Sequence, residues 1–132
     1  MGDDKGDLHA KGMATRRAVL GDAHVDRAEA AKSAFETPFQ DLIAQSAWGQ
    51  VWASDAITLR ERSMLTLALL AATGNFDEIP MHVRACARTG ASRSDIAECF
   101  QHVAVYAGVP RANRALKLAR AIFDEMDAAA TE

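Results

Sequence analysis

The sequence predicts an all-α protein, folded as a helical bundle in a single domain. Apolar residues recur every three to four positions along most of the chain, which is the period of an α-helix. Hydrophobic residues make up 49% of the chain but aromatic residues only 6%, and alanine, the strongest helix former, is frequent. No stretch alternates apolar and polar residues for long enough to indicate a strand. The 132 residues suffice for one hydrophobic core.

The chain begins with the polar, glycine-containing stretch MGDDKGDLHAKG. We therefore expect residues 1–12 to form a flexible tail and residues 13–127 to form the helical domain. A basic and apolar stretch follows the tail and ends at Gly21-Asp22, which predicts a chain reversal.

Five or six helices are expected in the domain. Apolar residues at helical spacing run from about Asp26 to Ala47, and Pro38 should end or bend that helix near Thr37. Capping patterns and glycine or proline breaks predict further helices over about 58–73, 77–89, 92–107 and from 110 onward.

The predicted helix at 58–73 is apolar on nearly every face after Ser63. A helix of this kind is wrapped by other helices or buried between subunits. A bundle this small would not cover so much apolar surface, so we expect a homo-oligomer.

Charge and apolar-run length exclude several classes of partner. The formal net charge is −3 and neither sign is concentrated in a block, so nucleic acid is not an expected partner. The longest apolar run, residues 64–72, is too short to cross a bilayer, and no secretory segment precedes the domain. We expect no membrane association and a cytoplasmic location.

The two cysteines and the four histidines do not have the spacing of a known redox or metal motif. Cys86 and Cys99 are too far apart for a CxxC pair or a zinc knuckle, so we expect buried, reduced thiols. The chain also lacks an HExxH motif and a phosphate-binding glycine loop. We predict neither a metal nor an organic cofactor.

Glu78 and His82 are four positions apart on the helix predicted over 77–89, so their side chains should share a face beside the apolar stripe. Such an environment can tune a histidine across neutral pH and make it a proton donor or acceptor. The alternative is a surface ion pair or a histidine that serves the core.

A second polar cluster, His24, Asp26 and Arg27, follows the predicted turn at Gly21-Asp22, and Arg16 and Arg17 precede it. The alternative here is helix capping by Asp26 beside solvated arginines. The nearby Trp48 and Trp52 are more often anchors of a core or an interface than platforms for a substrate.

Residues 16–27, RRAVLGDAHVDR, resemble the amino-terminal signature of the γ-carboxymuconolactone decarboxylases almost residue for residue. Ala47-Trp48-Gly49 and residues 60–70, 81–85 and 105–110 are similar to later parts of the same family. The resemblance extends from about Met13 to Asp124.

The wider superfamily includes thiol proteins similar to alkylhydroperoxidase D, which carry a CxxC ahead of a histidine. Asn75 and Glu78 stand at the two cysteine positions here, and His82 keeps the place of the histidine. Their proton-relay glutamate falls on Ser63. The resemblance therefore implies that thiol chemistry is absent. An alkylhydroperoxidase-like antioxidant protein and a non-catalytic helical oligomer are the alternatives.

The resemblance implies an enzyme that converts 4-carboxymuconolactone to β-ketoadipate enol-lactone and carbon dioxide, without a cofactor, in protocatechuate degradation. It also implies an alkylhydroperoxidase D-like bundle in a ring-like homo-oligomer, which we expect to be a trimer or hexamer. Within this hypothesis His82 supplies or orients the proton, Glu78 sets its tautomer or charge, and His24 is a second proton-transfer candidate. The expected substrate-binding residues are Arg16, Arg17, Arg27 and Arg60 for the two carboxylates and Trp48 as an apolar wall.

Overall fold

The computed structural model describes residues 4–131 and confirms the all-α prediction. Those residues contain no strand. Their regular elements are α1 (Asp4–Leu20), α2 (Asp22–Ala31), α3 (Thr37–Ile43), a π-helix (Ala44–Trp52), α4 (Leu59–Thr73), a 3₁₀ turn (Phe76–Glu78), α5 (Ile79–Thr89), α6 (Arg93–Ala107) and α7 (Val109–Ala130).

The chain divides into two compact units, Met1–Leu59 and Arg60–Glu132. The boundaries of 13–127 for one helical domain stay a prediction. No helix within residues 4–131 is both long enough and apolar enough to span a bilayer.

In the first unit, the expected flexible tail is wrong for residues 4–12, because they form the first half of α1. The remaining part of that prediction, residues 1–3, lies outside the described chain. Two glycines explain why this segment is ordered. A Cβ atom on Gly12 would lie 1.9 Å from the carbonyl oxygen of Ala44, and one on Gly49 would lie 2.5 Å from that of Leu8. The backbones of α1 and the π-helix therefore touch, and packing stabilises a helix that its polar sequence would not hold alone.

Of the two connections that flank α2, the first agrees with the prediction and the second does not. Gly21 has a φ of 92° and reverses the chain between α1 and α2, as predicted. The helix expected to run from Asp26 ends already at Ala31, and Pro38 lies in the first turn of α3 instead of ending a helix. Proline is tolerated there because a first-turn amide has no partner within the helix.

In the second unit, α4 to α7 surround one apolar core. Its largest fully buried side chains include Leu67 of α4, Ile79 of α5 and Phe100 of α6, and α7 adds Ala115 and Ile122. The predicted helix breaks are confirmed: Gly74 (φ 75°) follows α4 and Gly90 (φ 92°) follows α5. α5 begins two residues later than predicted, after the 3₁₀ turn.

The start of α6 shows the predicted cap. The hydroxyl of Ser92 accepts a hydrogen bond from the amide of Asp95 at 3.0 Å, and the Asp95 carboxylate accepts one from the amide of Ser92 at 2.9 Å. This capping box satisfies two amides that the helix itself cannot. Ion pairs from Arg84 to Glu125 and from Arg93 to Asp127 then join α5 and α6 to α7.

Candidate active site

His82 lies on α5 in the second unit, with its side chain turned into the core. It is 8% exposed, and its Nδ1 atom is buried. Burial lowers the pKa of His82 from 6.5 to about 4, because the charged imidazolium would lose its hydration. His82 is therefore a neutral imidazole at pH 7, whereas the sequence alone left both its charge and its burial open.

Glu78 and His82 are not on one α-helix as predicted, because α5 begins only at Ile79. Glu78 is the last residue of the 3₁₀ turn, and its side chain is exposed. Pro80, in the first turn of α5, accompanies this late start. The cause of the lowered pKa of His82 is burial of its imidazole.

In the first unit, three of the predicted site residues are brought together. His24 on α2 is half-buried, Arg16 approaches from α1, and Arg27 follows His24 on α2. The pKa of His24 is lowered, first by burial and then by the charges of Arg16 and Arg27. A titratable group beside two cations is suited to respond when an anion arrives.

Next to this cluster, Arg16 lines a cleft of about 160 Å³ between α1, α2 and α3. Its Nη1 atom is 3.3 Å from Oε1 of Glu29, and the ammonium of Lys32 is 2.7 Å from Oε2 of the same carboxylate. The Lys32 hydrogen bond is the largest cause that lowers the pKa of Glu29. The sequence analysis missed Glu29 and Lys32, although their spacing of three on a helix signals a charge pair.

The other two candidate arginines are held by carboxylates of the protein. Arg17 is within 3.1 Å of Asp22 and 2.9 Å of Asp26 at the surface. Arg60 donates two hydrogen bonds to Asp95 in the second unit. Each guanidinium would have to give up these contacts in order to bind a substrate.

Both tryptophans are buried in the first unit. Trp48, the expected apolar wall, is packed in the interior of the first unit with its ring centroid 5.2 Å from that of Trp52. Trp52, not Trp48, lines a cavity of about 570 Å³ bounded by α1 and the segment after the π-helix. Asp55 is the charged residue of that lining, so the cavity does not suit a dicarboxylate.

Cys86 and Cys99 are buried free thiols, as predicted. Burial raises the pKa of both, so they remain protonated and poorly nucleophilic. Ser63, which stands where the thiol superfamily has its relay glutamate, is fully buried and shares a 2.7 Å hydrogen bond with Thr89. Within residues 4–131, no three histidine, cysteine or acidic side chains gather as a metal site.

Comparison with known proteins gives consistent matches. The profile of the carboxymuconolactone decarboxylase family matches residues 37–121. A 4-carboxymuconolactone decarboxylase of Acinetobacter baylyi is 36% identical over 118 residues, which cover 89% of this chain and 88% of the relative. A nitrosuccinic acid decarboxylase of Metarhizium robertsii is 32% identical over 119 residues, covering 90% of this chain and 83% of the relative.

A third match is shorter: a 4-carboxymuconolactone decarboxylase sequence of Pseudomonas putida is 46% identical over 46 residues, or 35% of this chain and 96% of the relative. The three relatives are decarboxylases by name, and the prediction that this chain is a carboxy-lyase is confirmed. From the family profile and from the length of the first two alignments, the chain belongs to the carboxymuconolactone decarboxylase family.

Proposed function

We propose that the protein decarboxylates 4-carboxymuconolactone to β-ketoadipate enol-lactone in protocatechuate degradation. The observation that carries this proposal is the placement of His24 beside Arg16 and Arg27 in one unit of a decarboxylase-family chain. The Acinetobacter relative, whose name states this substrate, covers most of the chain and supports the same reaction.

The substrate can lose carbon dioxide without an electron-sink cofactor. Its departing carboxylate is γ to the lactone carbonyl across a carbon–carbon double bond. Breaking the carbon–carboxylate bond leaves the electron pair in a dienolate, whose charge extends to the carbonyl oxygen. The protein then has to place two carboxylates, stabilise the developing oxyanion and deliver one proton to a ring carbon.

The first unit suits two of these tasks. Arg16 and Arg27 offer guanidinium groups that match carboxylate geometry. A bound dianion offsets their positive field, which raises the pKa of His24 and favours its imidazolium form. That imidazolium donates the proton to the dienolate carbon and recovers a proton from solvent.

His82 has a different part in this proposal from the one first expected. Because it is neutral at pH 7, it is not the charged acid of the reaction. A neutral imidazole can still donate or accept one hydrogen bond. We assign proton delivery to His24 in the first unit and leave the role of His82 in the second unit as a separate hypothesis.

Nitrosuccinic acid is a second candidate substrate, because the Metarhizium relative matches as much of this chain as the Acinetobacter one does. Its name describes a dicarboxylic acid with a nitro group, and a nitro group can accept the electron pair that departing carbon dioxide leaves behind. Both substrates therefore require the same cationic side chains to bind their carboxylates and the same proton donor.

The ring-like homo-oligomer, a trimer or hexamer, also belongs to this proposal. Large apolar side chains remain exposed on α4 and α6 of the second unit: Leu65, Leu69, Val105 and Tyr106. Apolar surface of this kind is typical of subunit contacts. Light scattering coupled to size-exclusion chromatography measures the mass directly, and a monomer would contradict the expectation.

The reaction itself is tested by supplying freshly prepared 4-carboxymuconolactone and following product and carbon dioxide. Nitrosuccinic acid is assayed in parallel at the same enzyme concentration. We expect turnover of the lactone with the higher kcat/KM. A higher kcat/KM for nitrosuccinic acid would make that acid the assigned substrate. If neither compound is decarboxylated, the proposed function is wrong.

A further inference from the structure

The cleft beside His24 contains a carboxylate already bound by two cations, and that carboxylate belongs to the protein. Glu29 directs Oε1 to Arg16 of α1 and Oε2 to Lys32 at the end of α2. The Arg16 side chain is only 12% exposed, so its guanidinium is held inside the cleft. Glu29 thus bridges the two cations in the way that a ligand carboxylate would.

We propose that this cleft is a carboxylate subsite in which Glu29 takes the place of a ligand carboxylate until a ligand displaces it. Lys32 is then a substrate-binding residue, and Glu29 is an internal competitor that decides which anions enter. The proposal deepens the proposed function, since it names the subsite for one carboxylate of that substrate.

The volume of the cleft indicates how much of a ligand it takes. At about 160 Å³ it is smaller than the roughly 300 Å³ at which pockets for whole small molecules begin. It has room for one carboxylate arm and not for a whole lactone. Ala28, which lies one helical turn beyond His24 on α2, lines the cleft. An arm in the cleft therefore leaves the remainder of the ligand beside His24.

The charged side chains of the cleft explain why a ligand carboxylate has to displace Glu29. The cleft contains the cations Arg16 and Lys32 and the carboxylates Glu29 and Glu36, so its formal charges cancel. The Glu36 carboxylate is engaged by the amide and the hydroxyl of Ser33. Among residues 4–131, Glu29 has no such anchor beyond the two cations that hold it, and its side chain is 30% exposed. It can therefore turn out to water when a second carboxylate arrives.

The proposal is tested by binding and does not require turnover. Succinate is titrated into the wild-type protein and into K32M, E29Q and a control, K117M, and the Kd is followed by NMR or calorimetry. Lys117 is at an exposed position on α7 of the second unit. We expect K32M to weaken succinate binding roughly tenfold or more, because a charged hydrogen bond is lost. E29Q should tighten binding, because the competitor loses its charge, and K117M should not change it.

Either of two results would overturn the subsite: no saturable binding of succinate, or an unchanged Kd in K32M. Weaker binding in E29Q would overturn the exchange, because Glu29 would then be needed to position the cations. Circular dichroism checks that each variant folds.

Steady-state kinetics distinguishes a failure of the carboxylate subsite from a failure of the proposed reaction. With an active enzyme, K32M should raise KM for the lactone while kcat changes little. If the wild type is inactive on the lactone but the succinate pattern holds, the proposed function fails and the subsite stands. An active enzyme with an unchanged KM in K32M would remove the subsite alone.

Discussion

The guanidinium of Arg60 holds both carboxylate oxygens of Asp95, with Nε 2.8 Å from Oδ2 and Nη2 2.7 Å from Oδ1. The same carboxylate completes the cap of α6 with Ser92. Arg60 is one of the four arginines expected to bind substrate, and this geometry links the first turn of α4 to the start of α6. The Asp95 carboxyl has a pKa held well below its usual range, with Arg60 as the largest cause.

Replacing Asp95 by Asn should lower the Tm at pH 7 by more than replacing Ser92 by Ala. S92A removes one cap hydrogen bond, for which the typical loss is about 1 kcal/mol, and leaves the Arg60 contact in place. Thermal unfolding by circular dichroism measures both variants.

The Asp95 effect should also depend on pH. A carboxyl whose pKa is lowered by folding stabilises the protein above the unfolded value, 3.8, and this contribution is lost as pH falls through the folded value. The Tm difference between wild type and D95N should therefore be at its maximum at pH 6 and decrease below pH 4. A difference that grows toward acid would contradict the pairing.

His82 should make the protein less stable in mild acid. Its pKa falls from 6.5 to about 4 on folding, so between these values the unfolded chain binds a proton that the folded chain excludes. The free energy of unfolding should drop from pH 7 toward pH 4 by up to about 3 kcal/mol. Urea unfolding at several pH values measures the slope.

H82Q should remove most of that slope, whereas H102Q, at an exposed position on α6, should keep it. If wild type and H82Q lose stability in parallel over this range, burial of a neutral His82 is not the cause.

The contact between α1 and the π-helix makes two glycines of α1 behave in opposite ways. A Cβ on Gly12 would overlap the Ala44 carbonyl at 1.9 Å, whereas nothing lies within 4 Å of one on Gly6. G12A should destabilise the protein by roughly 1–3 kcal/mol or more. G6A should stabilise it by up to about 1 kcal/mol, since alanine favours the helix. Equal effects on the free energy of unfolding would mean that residues 4–12 are not packed.

Substituting His24 by Asn should lower kcat by roughly 10²- to 10⁴-fold, the usual range for losing a general acid. H102N serves as the matched control and should keep wild-type turnover.

The pH dependence of wild-type activity gives a second test of His24. The reaction needs protonated His24, so activity falls as pH rises through its pKa. That pKa is below 6.5 in the free enzyme, where Arg16 and Arg27 add to the effect of burial. A bound dianion raises it, so the alkaline limb of kcat should lie at higher pH than that of kcat/KM. Coincident limbs would remove His24 from the proton transfer.

The thiols should be dispensable. Cys86 and Cys99 are buried, with their pKa values raised by burial, so a disulfide reagent should label them slowly in the folded protein and rapidly in denaturant. The double alanine variant should keep wild-type kcat/KM on the lactone. Loss of activity in a folded double variant would revive the thiol-based alternative.

The sequence by itself determined the helices of the second unit and pointed to His24, Arg16 and Arg27 in the first, but not to Glu29 or Lys32. Gly74, Gly90 and the Ser92–Asp95 pair mark helix ends through interactions within a few residues, and such signals are local. The resemblance of residues 16–27 to the decarboxylase signature pointed to His24 and its arginines in the same way, because those residues are close along the chain.

Tertiary structure decided what depends on neighbours distant in sequence. α1 extends to Asp4 because Gly12 lets it touch the π-helix more than thirty residues away. His82 is neutral because core side chains from other helices exclude water from it, and no local pattern reports that desolvation. Arg16 meets Glu29 only after the turn at Gly21 folds α2 back on α1. The residue types were readable in the sequence, but their protonation and partners follow from burial and long-range packing.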